Sequence, residues 1–306
     1  SMSTAESTVQ APQLIDILRR STAFLARNGI ESARLDAEVL LANILELDRI
    51  QLYVQHDRPL IPDELERYRD ALKRRARRMP VAYVTGRKEF MSLDFAVDGR
   101  VLIPRPDTEV LVEAVISRLA ALGIDDTIVV DIGTGSGAIA CAIAREVPGA
   151  RVLATDISGD ALEVAGSNVA TLGLTGRVFL AQGDLFEPTI GTEFEHMDVL
   201  VCNPPYVPSH DIPSLAPEIS RYEPHLALDG GPDGLGFYRR IAEGVPRRFT
   251  GRGFIALEVG DGQATPVSEI LEQAGLADLE AICDYSGEAR AVIGWMPGVR
   301  GGADVL

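Results

Sequence analysis

The tetrapeptide Asn203-Pro204-Pro205-Tyr206 is the most informative chemical motif in the sequence. It follows Met197–Cys202, an apolar run typical of a buried strand, and open α/β sheets bind ligands at the carboxyl ends of their strands. Two consecutive prolines fix φ and lack amide donors, so the Pro204 carbonyl has a fixed direction. With the side-chain oxygen of Asn203 it forms a pair of acceptors that suits both hydrogens of a planar –NH₂ group.

This pair of acceptors predicts N-methylation of an amide or of a nucleic-acid base. An –NH₂ group held through its hydrogens leaves the nitrogen lone pair free to face an electrophile, and no strong base is needed when the proton leaves after transfer. Tyr206 offers an aromatic face for stacking on a planar substrate group. We therefore predict that Asn203, Pro204 and Tyr206 are catalytic and that Asn203–Tyr206 bind substrate. The alternative is a structural Pro-Pro turn with a capping Asn.

A glycine-rich loop, Gly133-Thr134-Gly135-Ser136-Gly137, follows the strand pattern Ile128–Asp131 and precedes an apolar helix. Glycines allow a tight turn and let a ligand approach the amides at a helix N-terminus. Asp156 ends the next strand pattern, where a carboxylate can accept hydrogen bonds from both hydroxyls of a ribose. With Ala138, the spacing fits the dinucleotide fingerprint and equally the loop of methyltransferases that use a nucleoside cofactor. The loop predicts an adenosine-type cofactor without deciding the chemistry.

Two further acidic positions bear on the cofactor. Asp131, at the end of the first strand, suits a cofactor with an ammonium group such as S-adenosylmethionine, and otherwise caps the loop amides. Asp184-Leu185, after the third strand, suits the edge and face of an adenine, and otherwise caps a helix. We predict a cofactor site made of the following residues: Gly133, Thr134, Gly135, Ser136, Gly137, Asp156, Asp184, Leu185 and Asn203.

The first third of the sequence has a different pattern from the rest. With 306 residues the chain is long enough for two domains. Apolar residues at helical spacing and the absence of strand patterns predict a small helical domain over residues 12–80. One of its helices begins at Pro62 and ends in the basic run Lys73–Arg78, which is either a solvated helix end or a docking patch. Residues 81–104 partly alternate, with turn candidates at Gly86 and Gly99, and predict a β-hairpin linker.

Residues 105–298 alternate between strand and helix patterns, which predicts an open, doubly wound α/β sheet of the Rossmann-like kind. We expect buried parallel strands at six places: Ile128–Asp131, Arg151–Asp156, Arg177–Gln182, Val199–Cys202, Gly253–Val259 and Ala289–Trp295.

Charge and composition exclude several classes of partner. Residues 1–90 contain 15 basic and 13 acidic residues, whereas residues 91–306 contain 14 and 32, a net charge of −18. Such a surface repels a phosphate backbone, so we expect no duplex nucleic acid partner. No apolar stretch approaches roughly 18 residues, so we expect no membrane partner. Four scattered histidines and three distant cysteines predict neither a metal site nor a disulfide framework, and we expect a cytoplasmic monomer.

Several segments together resemble the HemK/PrmC family, the S-adenosylmethionine-dependent glutamine N5-methyltransferases of peptide chain release factors. The resemblance spans roughly residues 14–295. It rests on the following segments: Leu35–Glu38, Pro80–Tyr83 with Gly86 and Phe90, Leu102–Glu109, Gly133–Gly137, Asn203–Tyr206, and Glu258–Gly260 with Gln263. The segment Leu102–Glu109, combined with a helical N-terminal domain, makes the match specific.

The resemblance implies a seven-stranded methyltransferase domain, a substrate-docking helical domain and methylation of the glutamine in a Gly-Gly-Gln motif. It implies cofactor contacts at Gly133–Gly137, Asp156, Leu185 and Asn203, and glutamine contacts at Asn203–Tyr206. Three kinds of alternative stay open: a glutamine methyltransferase of a ribosomal protein or an amino-methyltransferase of DNA or RNA, a nicotinamide-dependent oxidoreductase, and a binding module without turnover.

Overall fold

The computed structural model describes residues 12–123 and 126–298 of the chain. The chain divides into two compact units, Ser1–Gly86 and Arg87–Leu306, which we call the helical unit and the α/β unit. Among the described residues, no helix is long and apolar enough to cross a membrane.

The helical unit is built from amphipathic helices around an aliphatic core. Tyr68 is buried in that core, and its hydroxyl donates a hydrogen bond to the carbonyl of Ala37 over 2.9 Å. Pro62 begins a helix as predicted, with the Glu64 carboxylate accepting from the amide of Ile61. The described part of the unit contains the following helices: α1 (Leu14–Arg27), α2 (Ala33–Leu45), α3 (Arg49–Val54), α4 (Pro62–Ala76) and α5 (Val81–Thr85).

The basic run at the end of α4 is neither simply solvated nor wholly available for docking. Arg75 is buried, and its Nε lies 2.7 Å from Oδ2 of Asp36, which is buried as well. Arg78 donates to the carbonyl of Gly29 over 2.9 Å. These arginines therefore hold the helical unit together.

Replacing Arg75 by Met is expected to lower the free energy of unfolding by about 3–5 kcal/mol, because Asp36 would be left as a buried charge without its partner. Arg67→Met is the matched control, since it removes an exposed i,i+4 pair with Asp63 and should cost less than about 1 kcal/mol. Urea unfolding of the whole protein measures both. Equal losses in the two variants would contradict this account of Arg75.

The α/β unit starts with a hairpin and continues into alternating strands and helices. Its elements in chain order are β1 (Arg87–Phe90), β2 (Leu93–Ala96), α6 (Pro106–Leu122), β3 (Thr127–Ile132), α7 (Ala138–Glu146), β4 (Ala150–Asp156), α8 (Gly159–Thr171), β5 (Val178–Gln182), β6 (Met197–Cys202), α9 (Pro217–Ser220), α10 (Gly236–Gly244), β7 (Phe249–Glu258), α11 (Ala264–Gln273), β8 (Ala277–Cys283) and β9 (Ala289–Trp295).

The main sheet has the order β5-β4-β3-β6-β7-β9-β8, which confirms the predicted Rossmann-like α/β architecture with seven strands. The first five strands in this order are parallel. The predicted set of strands needs two corrections. Ala289–Trp295 was expected to be parallel, but it is antiparallel to both neighbours, β7 and β8. The strand Ala277–Cys283 was not predicted at all.

The predicted linker over residues 81–104 also differs from the structure. Val81–Thr85 is helical and belongs to the helical unit, so the chain divides after Gly86. The hairpin is present, but its turn lies at Met91-Ser92 instead of at Gly86 or Gly99.

The strand order places a crevice where ligands bind. The chain proceeds from β3 outward to β5 and then returns to the other side of β3 with β6. At such a reversal, the loops after the two central strands diverge and open a crevice at the carboxyl edge of the sheet. The glycine loop follows β3 and the tetrapeptide follows β6, so both predicted motifs lie at this crevice.

Candidate active site

A cavity of about 330 Å³ lies at the carboxyl ends of β3, β4, β5 and β6. This volume is within the range typical of small-molecule sites. Most of the predicted site residues line it, and only Gly137 and Tyr206 do not. The predicted residues that line the cavity are Gly133, Thr134, Gly135, Ser136, Asp156, Asp184, Leu185, Asn203, Pro204 and Pro205.

The glycine loop leaves open space above its backbone. Gly133 and Gly135 have φ values of 71° and 55°, and a Cβ added at either position would meet nothing within 4 Å. A ligand can therefore approach these peptide units closely. Gly137 has a different role, because it is the N-cap of α7 and a Cβ there would lie 3.3 Å from that of Ala165 in α8.

Asp156 fixes the shape of the glycine loop from the end of β4. Its Oδ2 accepts from the amide of Gly135, and its Oδ1 accepts from the amide of Ser158, both over 2.9 Å. Each carboxylate oxygen has a further lone pair. The side chain lines the cavity, so it can still accept hydrogen bonds from ligand hydroxyls.

Asp131 lies behind the loop and does not line the cavity. It is fully buried, Thr134 donates to its Oδ2 over 2.6 Å, and Oδ1 makes no hydrogen bond of ordinary geometry. The pKa of Asp131 is raised to about 7 overall. Burial is the main cause and the charge of Asp156 adds to it, whereas the Thr134 hydroxyl and, more weakly, the Ala140 amide oppose the rise. An orphaned carboxylate oxygen beneath the loop is compatible with a ligand that carries a positively charged group, and such a role for Asp131 stays a prediction.

The region after β5 combines charge with apolar surface. Asp184 is paired with Arg240, whose Nη2 lies 2.5 Å from its Oδ2. The guanidinium of Arg240 lies over the ring of Phe237, with 5.5 Å from Cζ to the ring centroid. Leu185 has a φ of 47°, which is uncommon for a residue with a side chain. Arg240 and Phe237 line the cavity but were missed by the sequence analysis.

The tetrapeptide is attached to the rest of the sheet through side chains from α6 and β7. Asn203 donates from Nδ2 to Oγ1 of Thr108 over 3.4 Å, and Thr108 donates to Oε2 of Glu258 over 2.6 Å. The Tyr206 hydroxyl donates to Oε1 of Glu258 over 3.4 Å. One buried carboxylate therefore holds both ends of the tetrapeptide.

Tyr206 is further fixed by backbone contacts. Gln263 donates from Nε2 to the Tyr206 carbonyl over 3.0 Å. The Tyr206 ring packs so closely on Gly260 that a Cβ there would lie 2.9 Å from it. Burial raises the pKa of the Tyr206 phenol. This placement outside the cavity lining favours an anchoring role for Tyr206 over the predicted stacking role.

Two glycines after Asp229 cradle the tetrapeptide. A Cβ on Gly230 would lie 2.8 Å from the carbonyl oxygen of Pro205, and one on Gly234 would lie 2.4 Å from that of Tyr206. Both positions therefore require the absence of a side chain. Nothing in the sequence linked these glycines to a motif more than 20 residues earlier.

Other residues that the sequence analysis gave no role support the cavity wall. Arg105 lines the cavity and pairs with the buried carboxylate of Glu223, which also accepts from the amide of Ile103 over 3.1 Å. Buried Asn168 bonds both the backbone of Ala96 in β2 and the carbonyl of Ser136. The hairpin is thereby tied to the glycine loop.

Comparison with known proteins shows which family this chain belongs to. Residues 16–86 match the family described as the PrmC N-terminal domain, and residues 106–221 match the methyltransferase small domain. A release factor glutamine methyltransferase from Geobacter sulfurreducens is 43% identical over 278 residues, which cover 91% of this chain and 95% of the relative. The chain belongs to the release factor glutamine methyltransferase family. The family member from Moorella thermoacetica is 45% identical, with 89% of this chain and 94% of that protein covered.

Solved structures agree with the methyltransferase fold. The hMettl16 catalytic domain in complex with MAT2A 3′UTR hairpin 1 aligns with a TM-score of 0.57, covering 94% of this chain and 93% of that chain. A complex of the same domain with hairpin 6 gives a TM-score of 0.55 over 80% of this chain and 84% of that chain. The identities are 16% and 17%, so these similarities concern the fold alone.

Proposed function

We propose that this protein methylates the side-chain amide nitrogen, N5, of a glutamine in peptide chain release factors, with S-adenosylmethionine as the methyl donor. One observation gives the proposal its main support. Asn203 and Pro204, the predicted acceptors for an –NH₂ group, line the same cavity as the glycine loop and Asp156. The names of the relatives supply the substrate, a glutamine of a release factor.

The residues around the cavity suit this cofactor. The open backbone at Gly133 and Gly135 would hold it, Asp156 would accept from ribose hydroxyls, and the negative potential of Asp131 would favour an ammonium group. Leu185 and Phe237 provide apolar surface for an adenine. Bound S-adenosylmethionine supplies an electrophilic methyl group.

The tetrapeptide contributes to catalysis by orientation and by electrostatics. A glutamine amide nitrogen is a poor nucleophile because its lone pair is delocalised into the carbonyl. Asn203 and Pro204 hold that –NH₂ group through its hydrogens. One face of the nitrogen is then left free, on the cofactor side of the cavity. Fixed orientation of this kind corresponds to effective molarities of roughly 10⁵ M or more in favourable cases. The two acceptor oxygens also stabilise the positive charge that develops on nitrogen.

Charge and composition support the remaining parts of the proposal. The net charge of −18 over residues 91–306 disfavours a duplex nucleic acid substrate. We propose that the enzyme acts as a monomer, since the glycine loop and the tetrapeptide of a single chain already line one cavity. Release factors act on ribosomes, so the reaction belongs in the cytoplasm.

The helical unit, which matches the PrmC N-terminal domain, is proposed to dock the protein substrate.

A side-by-side comparison of substrate classes tests the proposal. The protein is incubated with S-adenosylmethionine labelled in its methyl group and, in parallel, with a release factor, ribosomal proteins, DNA or RNA. Label should enter the release factor alone. Label in a nucleic acid or a ribosomal protein, and none in the release factor, would contradict the proposed substrate.

Replacing Asp156 by Ala is expected to weaken S-adenosylmethionine binding by about 1–3 kcal/mol, because ribose acceptors and the support of the Gly135 amide are lost together. Calorimetric titration measures the change. Asp160→Ala is the matched control, since that carboxylate is exposed in the first turn of α8 and lies outside the cavity lining. Unchanged affinity in Asp156→Ala would show that the cofactor binds elsewhere.

A further inference from the structure

Three buried or half-buried groups form a continuous hydrogen-bonded series beside the cavity. Asn203 donates to Thr108 over 3.4 Å, and Thr108 donates to Glu258 over 2.6 Å. Thr108 is 4% exposed and Glu258 is 2% exposed. Both Asn203 and Thr108 line the cavity, whereas Glu258 lies behind them. The series therefore leads from the substrate side of the cavity to a carboxylate that solvent hardly reaches.

We infer that Thr108 and Glu258 are positioning residues that fix the direction of the Asn203 side-chain amide, and thereby make the site selective for a substrate –NH₂ group. The inference rests on the proposed function, in which the Asn203 oxygen accepts a hydrogen from the substrate. It assigns Thr108 and Glu258 a role that they exert through Asn203.

The chemistry of a hydroxyl group determines the direction of the amide. A threonine hydroxyl has a single hydrogen, and at 2.6 Å the ionised carboxylate of Glu258 takes it. Toward Asn203, Thr108 then has only lone pairs, so Asn203 must present its nitrogen to Thr108. Because the amide is planar, its oxygen is left for the cavity. An apolar residue at position 108 would let the amide rotate and offer its own –NH₂ to the substrate.

Protonation of Glu258 removes this constraint. A neutral carboxyl can donate to Thr108, whose hydrogen is then free to point at Asn203 and favour the reversed amide. The pKa of Glu258 is raised to about 7 overall. Burial is the main cause and Asp107 adds to it, whereas Thr108, Tyr206 and Arg105 oppose the rise. Tyr238 donates to the backbone carbonyl of Glu258 over 2.7 Å, and the Cys202 thiol lies within electrostatic range of the Glu258 carboxylate. The rate of methyl transfer should therefore fall as the pH decreases through about 7.

The test measures single-turnover methyl transfer to a release factor, at saturating cofactor, from about pH 5.5 to 9. Thr108→Val keeps the shape of the side chain but removes the hydroxyl, whereas Thr108→Ser restores the hydroxyl. At about pH 8, Val is expected to lower the rate constant by about 10- to 100-fold, since a misplaced group at a reacting centre has effects of this size. Ser should stay within about threefold of the wild type.

Two further readouts separate positioning from general damage to the fold. Cofactor affinity and the release factor concentration at half-saturation should change little in Thr108→Val, because one amide contributes little to the affinity of a whole protein. Glu258→Gln, which cannot ionise, should abolish the acidic limb of the pH profile. If that variant fails to fold, the acidic limb should still be absent from Thr108→Val.

The outcomes distinguish this inference from the proposed function. Equal rates for Thr108→Val and Thr108→Ser, or an unchanged acidic limb in Thr108→Val, would overturn the inference while leaving the function intact. Absence of transfer by the wild type would contradict the proposed function itself, together with the inference that rests on it.

Discussion

Replacing Asn203 by Ala is expected to slow methyl transfer to a release factor by about 10²–10³-fold, the usual effect of losing one oriented hydrogen-bond partner at a reacting centre. The variant loses the side-chain oxygen that accepts a substrate hydrogen and the contact to Thr108. Cofactor affinity should fall much less than the rate, because the glycine loop and Asp156 are unchanged. Single-turnover transfer and calorimetric cofactor titration measure the two quantities separately.

Asn203→Asp is the matched control for this prediction. It keeps the size of the side chain and its acceptor oxygens, so partial activity should remain, although it adds a negative charge near the cofactor. Near-normal transfer by Asn203→Ala would show that the tetrapeptide is only a structural turn. The assignment of chemistry to residues 203–206 would then have to be withdrawn.

Gly234→Ala should reduce methyl transfer by about 100-fold, because it displaces the tetrapeptide without changing any of its residues. The added Cβ would lie 2.4 Å from the Tyr206 carbonyl oxygen and 3.3 Å from a ring carbon of Pro208. Backbone atoms cannot yield as a flexible side chain does, so Tyr206 and the prolines before it must move. The same single-turnover assay measures the loss.

Gly231→Ala separates this displacement from backbone strain. Both glycines have positive φ, 89° at Gly231 and 74° at Gly234, but a Cβ on Gly231 would meet nothing within 4 Å. Each alanine variant pays about 1–2 kcal/mol for the left-handed conformation. Only Gly234→Ala should also lose activity. Comparable activity in the two variants would mean that the tetrapeptide does not require this close packing.

The sequence was sufficient to locate the cavity because the two motifs follow strands that are adjacent in the sheet. A glycine loop after β3 and the tetrapeptide after β6 must meet when those strands are parallel neighbours. The apolar runs of the central strands are buried on both faces, which is why their patterns were clear. Family resemblance supplied what the motifs left open, the choice between a nucleic acid and a glutamine.

Features that depend on pairing between distant residues were not predictable in the same way. Thr108 and Glu258 are separated by 150 positions. Both lie in segments that carry the family resemblance, but nothing in those segments indicates that the two side chains meet. Met91-Ser92 forms the tight turn of the hairpin with φ values of 49° and 59°, where asparagine and glycine are the usual residues. Strand β8 lies at the sheet edge and has only a mixed burial pattern, so its sequence lacks a buried apolar run.

Tandem mass spectrometry of a release factor, after incubation with this protein and S-adenosylmethionine, locates the transferred methyl group. We expect the mass of one additional methyl group on the side-chain amide nitrogen of a single glutamine, that of the Gly-Gly-Gln motif, and its loss when Asn203→Ala replaces the wild type. A methyl group on another residue type, or an unchanged yield with Asn203→Ala, would contradict the proposed function.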